Sequence, residues 1–332
     1  RDDPTDDLRM TANAAPRELP IKEAMLLSAG MATRLAPLSG LRPKALFPLP
    51  GGPILRQWLD TLAGGGVRRV VVNAFHLAHM IEDAVAAWRD SYPGMEIVVL
   101  REPELLGTGG GVRNALGLFG GPFMVLNSDI HTDLPLCGLC EAHISQGSPL
   151  ATIAAGRLPG GTVSAAEDGS VLAFRAAGPV KGEAVRLYGL GMMVLSLDAA
   201  GALPLGNSDL IMGLAGRIRA GGRVMAFVPD IPLDGSKDGY QWSDLGTMAS
   251  YHALNRRLAE GKILAAEGSF ILGRVSGFLV AEAGATVSDG AMVEDCVLWS
   301  EARVGRGCEL RSMVVAGKAM DGLRMSGGAI TG

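Results

Sequence analysis

The chain of 332 residues is poor in aromatic side chains, which make up only 5% of it. A core without many large rings has to be filled by Val, Leu, Ala, Met and Ile, and a hydrophobic content of 48% supplies them. Cysteine is scarce as well: Cys137, Cys140, Cys296 and Cys308 are too few for a disulfide scaffold in a chain of this length. Cys137-Gly-Leu-Cys140 has redox or zinc spacing, but no second pair accompanies it. The apolar stretch from Leu134 to Cys140 therefore reads as a helix carrying two small core residues. No apolar run is long enough to cross a bilayer, and Arg1 to Pro20 is polar and acidic with no signal-peptide core. These absences predict no membrane partner, a disordered tail over residues 1–20 and a cytoplasmic protein. No basic run stands out and the formal net charge is −4, which argues against a nucleic-acid partner. A small anion remains open, since it needs only two or three cations and some backbone N–H groups. The histidines His76, His79, His131, His143 and His252 are scattered, with only His131 near the carboxylates discussed below, and read as structural.

Glycine, by contrast, is abundant at 47 residues, which implies many tight turns or places of close backbone approach. Short apolar runs alternate with segments of helical periodicity through the first half of the chain. Strands are predicted over Ala24–Ser28, Val67–Val72, Glu96–Leu100 and Phe123–Leu126, and helices over Pro53–Leu62, Leu77–Trp88 and Thr108–Leu118. Further on, Thr152–Ala155, Val171–Phe174, Gly191–Leu195 and Val224–Val228 read as strands. Asp209–Ala220 and Tyr251–Ala259 read as helices. The alternation predicts an α/β, Rossmann-like domain over residues 21–260: a mixed, mostly parallel sheet with helices on both faces. Ligands of such sheets bind beyond the carboxyl ends of the strands, so the loops after Ser28, Leu100 and Leu126 are the ones to inspect. From about Val275 the pattern changes. Val287, Val293, Leu298, Val304, Leu310 and Val315 recur near six-residue spacing, predicting a short left-handed β-helix over residues 270–320. Such a unit would cap the α/β domain or pair with a second copy as a homo-oligomer.

Leu26 to Leu55 carries the strongest chemical signal. A Gly-containing loop directly after the first strand, Ala29-Gly30-Met31-Ala32-Thr33, can wrap a triphosphate with backbone N–H groups. Arg34 and Lys44 add fixed positive charge to the same region, as phosphoryl and nucleotidyl transfer require. Gly107, Thr108, Gly109 and Gly110 form a second glycine-rich turn before a helix, where backbone could lie against a ligand. Asp129 follows the fourth strand, where a carboxylate can hold a hard cation, and Asp244 lies in Trp242-Ser-Asp-Leu-Gly-Thr247.

These segments resemble, in the same order, the signature of the sugar-1-phosphate nucleotidyltransferases, roughly G-x-G-T-R-L-x-P-L-T, then P-K, then L-G-T-x-G, then W-x-D-[IV]-G-T. The resemblance spans about Ile21 to Ala259, and several members of the family also carry a β-helix tail. It implies an enzyme that joins a nucleoside triphosphate to a sugar 1-phosphate and releases pyrophosphate. Arg34, Lys44 and Asp129 would be catalytic. Ala29 to Thr33 and Gly107 to Gly110 would bind nucleotide, Asn127 and Gly191 the sugar, and Asp129 and Asp244 Mg²⁺. Two departures stand out. Ala32 replaces the second glycine of the signature, which would cost on the order of 1 kcal/mol if that position needs a positive φ. The family's Glu-Lys-Pro triplet has no counterpart in Phe174–Gly182, where Arg175 or Lys181 could stand in. Asn127-Ser128-Asp129 and Leu106-Gly107-Thr108 look most like mannose-1-phosphate guanylyltransferases, the favoured reading. Thr108-Gly109-Gly110-Gly111 and Ile81-Glu82-Asp83 look more like uridylyltransferases acting on N-acetylmuramic acid 1-phosphate. A non-catalytic, nucleotide-sugar-binding relative is the third reading. An acyltransferase would need a base among the hexapeptides, yet the last histidine, His252, precedes them.

Overall fold

The computed structural model describes residues 17–175, 180–233 and 239–332. The expected tail lies outside these residues up to position 16. Its last part does not behave as one: Leu19 is buried in the core and its N–H donates to Gly65 O. Residues 176–179 of the stretch compared with Glu-Lys-Pro also lie outside.

The β-branched and apolar runs form the strands, and their period of two decides which face each residue serves. β1 (Glu23–Leu27) and β2 (Arg69–Ala74) send Ala24, Leu26, Val70 and Val72 into one core and Met25 and Val71 into another. With β3 (Glu96–Arg101) and β4 (Phe123–Asn127) they pair in parallel, in the order β4-β1-β2-β3. β9 (Val185–Leu195) lies antiparallel between β4 and β6 (Ala151–Gly156), and β10 (Val224–Phe227) closes that edge parallel to β6. The short β7 (Val163–Ala165) pairs antiparallel with β9, and β8 (Val171–Phe174) pairs with β7. The sheet is thus mixed and mostly parallel, as expected.

Helices cover both faces. α1 (Ile54–Gly64), α2 (Ala78–Trp88) and α4 (Leu136–Ser145) pack on the Leu26 side. α3 (Gly107–Ala115), α5 (Leu197–Gly201) and α6 (Leu210–Arg219) pack on the Met25 side. The helix expected over Thr108–Leu118 ends at Ala115, and Leu116–Leu118 tightens into a 3₁₀ turn. Asp209 caps α6 by accepting from Met212 N. Cys140 of α4 is fully buried and Cys137 is partly so. Burial pushes the Cys140 thiol up to about 12, as suits a core residue rather than a redox centre.

α7 (Met248–Ala259) begins at a Thr247 capping box and leads into the C-terminal strands. Here β12 (Ile263–Ala265), β14 (Arg274–Ala281), β16 (Met292–Leu298), β18 (Glu309–Val315) and β20 (Arg324–Ile330) form one parallel sheet. The short β13 (Phe270–Ile271), β15 (Thr286–Val287), β17 (Arg303–Val304) and β19 (Lys318–Ala319) form a second. The chain alternates between the two sheets. Arg274 pairs with Met292 and Val293 with Leu310, so a turn takes roughly three six-residue units, consistent with a β-helix. Val287, Val293, Leu298, Val304, Leu310 and Val315 all point into its own core. Other side chains of the same turns, Phe278, Val280, Val297, Trp299 and Val314, belong to the Leu26-side core of the α/β sheet. The solenoid is therefore packed onto the sheet domain through shared apolar burial.

Candidate active site

Two adjacent cavities open at the carboxyl ends of β1, β2 and β4. The first, about 310 Å³, is walled by Ser28, Ala29, Gly30, Lys44, Asn73 and Asp129, among others. The second, about 360 Å³, is walled by Phe174, Arg175, Tyr188, Gly191, Met192 and Asp209, among others. Leu27, Thr108 and Asn127 form walls of both. A pair of this size, mostly apolar with a few convergent polar groups, suits a ligand of two parts.

The loop after β1 is fixed from below. Ser28 N donates to Asn73 Oδ1 at 2.8 Å, and Ser128 Oγ donates to Leu27 O at 2.7 Å. Ala32 then takes a left-handed conformation, φ 50° and ψ 39°, before the 3₁₀ turn Thr33–Leu35. The signature glycine would meet this turn without a Cβ penalty; the alanine carries one. Ala29 and Gly30 reach the first cavity, whereas Met31, Ala32 and Thr33 are not among its walls.

Lys44 opens a further 3₁₀ turn, Lys44–Leu46, and its Nζ meets Asp129 Oδ2 at 2.5 Å. Asp129 sits between β4 and β5 (Ile130–Thr132), which pairs antiparallel with β11 (Trp242–Asp244). In that register Asp244 faces Ile130, and Leu245 N donates to Asp129 O at 2.8 Å, so the two aspartates meet on one ribbon. Gly246 follows. A Cβ there would stand 2.7 Å from Asp244 Oδ2 and 3.1 Å from Arg34 Nη2, so the exposed Arg34 flanks the same glycine as Asp244. Arg34, Lys44, Asp129 and Asp244, 210 positions apart at the extremes of sequence number, are thereby gathered at the mouth of the cavities.

Two carboxylates on one ribbon offer hard oxygen donors and leave coordination positions for phosphate and water, which fits Mg²⁺. Among the described residues no three His, Cys, Asp or Glu side chains cluster as a self-sufficient metal cage. His131 is no part of such a set: its Nδ1 pairs with Gln57 Oε1 at 3.0 Å. Burial, with Arg257 as a second cause, pulls the ring down to about 4 and keeps it neutral.

The glycine-rich turn divides in its roles. Gly107, at φ 69°, and Thr108 line the first cavity. Gly109 and Gly110 do not: a Cβ on Gly109 would stand 2.7 Å from Ser208 Oγ, and one on Gly110 would stand 2.0 Å from Gly206 O. They are small so that α3 can press against the 206–210 loop, and neither is among the walls of the two cavities. A Cβ on Gly111 would collide with Asn73 Nδ2 at 2.7 Å and Glu102 Oε1 at 2.9 Å. Those two side chains were not singled out by the sequence, yet they form a buried bridge. Asn73 Nδ2 donates to Glu102 Oε1 at 2.7 Å, and Leu106 N donates to Glu102 Oε2 at 3.1 Å. The only signal for them was position, since each is a polar residue just where an apolar strand ends.

Asn127 and Gly191, the expected sugar residues, abut in the second cavity: a Cβ on Gly191, at φ 75°, would stand 2.9 Å from Asn127 Nδ2. Trp242 Nε1 donates to Leu190 O, tying the Asp244 strand to this wall. Arg175 lines the cavity and pairs with Asp209 at 3.4 Å, while Lys181 is exposed away from it.

Residues 23–165 match the family described as Nucleotidyl transferase. N-acetylmuramate alpha-1-phosphate uridylyltransferase of Caulobacter vibrioides is 39% identical over 110 residues, 32% of this chain and 46% of that protein. The chain thus spans about half the length of that relative. Mannose-1-phosphate guanylyltransferase of Mycobacterium tuberculosis is 27% identical over 316 residues, 93% of this chain and 82% of that protein. The crystal structure of HddC from Yersinia pseudotuberculosis superposes with a TM-score of 0.58 at 21% identity, covering 71% of this chain and 99% of its own, and shows the same fold. The matched segment 23–165, which holds the Ser28–Gly30 loop, Lys44 and Asp129, is thus similar to the nucleotidyl transferase family.

Proposed function

We propose that this chain joins a nucleoside triphosphate to a sugar 1-phosphate, with GTP and mannose 1-phosphate as the favoured pair. The observation that carries the reading is the meeting of Lys44 with Asp129, beside Asp244 and Arg34, where two cavities share a wall. The nucleotide occupies the cavity of Ala29, Gly30, Gly107 and Thr108, and the sugar that of Asn127 and Gly191. A phosphate oxygen of the sugar 1-phosphate attacks the α-phosphorus in line. The bond from the α-phosphorus to the bridging oxygen breaks, and pyrophosphate leaves with that electron pair. No protein nucleophile is required; positioning and charge do the chemistry. Lys44 and Arg34 carry the positive charge that meets the phosphates and stabilises the leaving group. Asp129 and Asp244 would hold Mg²⁺, which supplies charge neutralisation at the reacting phosphates.

The guanylyl reading is supported by the M. tuberculosis relative, whose similarity runs through 93% of this chain and so includes the solenoid. The uridylyl reading has its own support in the higher identity, 39%, to N-acetylmuramate alpha-1-phosphate uridylyltransferase over a shorter stretch. Pyrophosphate release with Mg²⁺ separates them, crossing GTP, UTP, dTTP, ATP and CTP with mannose, glucose, N-acetylglucosamine and N-acetylmuramic acid 1-phosphates. Release from GTP with mannose 1-phosphate is the expected result, and release from UTP with the muramic substrate selects the second reading. Silence across the panel, with nucleotide sugars still raising the melting temperature, overturns the enzyme in favour of a binding-only relative.

A further inference from the structure

The turn that presents Lys44 is gripped on both sides by the C-terminal solenoid. Two residues before Lys44, Arg42 Nη1 lies 2.9 Å from both carboxylate oxygens of Glu282, and its Nη2 lies 3.3 Å from Ser300 Oγ. The Arg42 guanidinium also stacks over the Trp299 ring, 4.7 Å from its centroid. Three residues after Lys44, the fully buried Phe47 meets Trp299 edge-on at 4.8 Å and Tyr251 of α7 at 5.2 Å. Tyr251 O–H donates to Pro48 O at 2.8 Å, and Trp299 Nε1 donates in turn to Tyr251 Oη at 3.3 Å. Glu282 and Trp299 occupy successive corners of the solenoid, just beyond β14 and β16, and Ser300 N and Oγ both donate to Glu282.

We infer that the solenoid is a positioning element for the reaction, and that Arg42, Glu282 and Trp299 act through Lys44. This rests on the reading given under Proposed function. The geometry is that of a clamp. A planar guanidinium held by two carboxylate oxygens and by a ring beneath it has little freedom, and a short 3₁₀ turn transmits that restraint to Lys44. Lys44 itself reaches to Asp129. A solenoid that merely filled apolar surface would have no need of a charged grip on this one turn, with Arg42 Nη1 on both Glu282 oxygens and Nη2 on Ser300 Oγ. The pair is also largely shielded, with Arg42 and Glu282 side chains 17% and 28% exposed, so water screens it less than a surface pair.

The test is a kinetic cycle of Glu282→Gln, Lys44→Ala and both together in the full chain, read by pyrophosphate release and by hydrogen exchange. Glu282→Gln keeps the shape and removes the charge. It should lower kcat about tenfold with KM for the sugar 1-phosphate little changed, since a displaced cation costs rate rather than sugar contacts. It should also speed exchange of the Leu46 and Phe47 amides, which bond to Pro43 O and Lys44 O. With Lys44 already Ala, Glu282→Gln should have no further effect on kcat while still speeding exchange. Arg42→Lys, which keeps the charge but not the fork, should repeat the pattern. An equal loss of rate with and without Lys44, or unchanged exchange at Leu46 and Phe47, overturns the inference. If the unmodified chain releases no pyrophosphate from any pair, the proposed reaction fails, and exchange at Leu46 and Phe47 still decides the clamp.

Discussion

Changing Glu102 to Gln should damage the protein far more than an isosteric substitution ordinarily would. Asn73 and Glu102 are 2% and 3% exposed, so their hydrogen bonds face no competition from water. Ser28 N–H and Leu106 N–H are two fixed donors at the ends of the bridge, and the Asn73 amide and Glu102 carboxylate lie between them. With Glu102 as a carboxylate every donor meets an acceptor. With a glutamine at 102, whichever way the two amides are turned, one N–H group faces another donor. Losing a charge-assisted bond costs about 1.5–3 kcal/mol, and the buried donor left without a partner costs about 1–3 kcal/mol more. Allowing for some relaxation, Glu102→Gln should cost about 2–4 kcal/mol. The compensating change is Asn73→Asp: the introduced carboxylate accepts from Ser28 N and from the new amide, whose oxygen accepts from Leu106 N. The double variant should recover to within about 1 kcal/mol of the parent, because its donors and acceptors match again. Asn73→Asp alone sets two carboxylates against each other and should be the worst of the three. Urea unfolding at pH 7, followed by tryptophan fluorescence, gives all four stabilities. A loss below about 0.5 kcal/mol for Glu102→Gln, or a double variant no better than the singles, refutes the bridge as described.

Three further outcomes follow from the site and the core. Ala32→Gly relieves a left-handed alanine, a gain of about 1–2 kcal/mol that is offset by about 0.4–1 kcal/mol of unfolded-chain freedom. A small rise in urea midpoint with equal or higher turnover is expected, and a large loss of activity would show that the loop has been rebuilt around the methyl. Asp129→Asn or Asp244→Asn should lower turnover by at least about 10²-fold while circular dichroism stays that of the parent; normal turnover in either would remove the carboxylates from the reaction. His143 is fully buried against Thr152 Oγ1, and burial lowers its pKa, so the fold holds the neutral ring. The unfolded chain then binds the extra proton first, and stability should fall as pH drops below about 6.5. His143→Gln should flatten that acid limb of the urea midpoint against pH, and an unchanged limb would assign it to other groups.

The parts of the fold that sequence made legible are those where one residue reports its own environment. The Val70–Val72 and Met124–Leu126 runs are apolar without interruption because the sheet is covered on both faces, so their strands could be read directly. Ala32 was readable as a left-handed position because the resemblance puts a glycine there, and its φ of 50° agrees. The glycines at 107–111 were only half legible. Glycine signals close approach without naming what approaches, and for Gly109 and Gly110 the close neighbour is the 206–210 loop. The β5–β11 ribbon was invisible, since two three-residue strands more than a hundred positions apart carry no periodicity of their own. Asp129 and Asp244 could be matched to a motif, but their meeting on one ribbon is a tertiary fact. Asn73 and Glu102 are single polar residues whose meaning exists only as a pair.

Leu27, Thr108 and Asn127 belong to both cavities at once, and this has a consequence for how selectivity can drift. On the proposed function, a substitution at any of the three is felt by both halves of a bound pair, so an adaptation to a new base made there disturbs the sugar as well. Independent change is confined to the walls that only one cavity owns, such as Ala29, Asn73 and Leu105 on one side and Phe174, Tyr188 and Met192 on the other. Directed libraries aimed at a single substrate half should therefore spare the three shared positions. A lineage that changed both halves together would be recognised by replacements at those three.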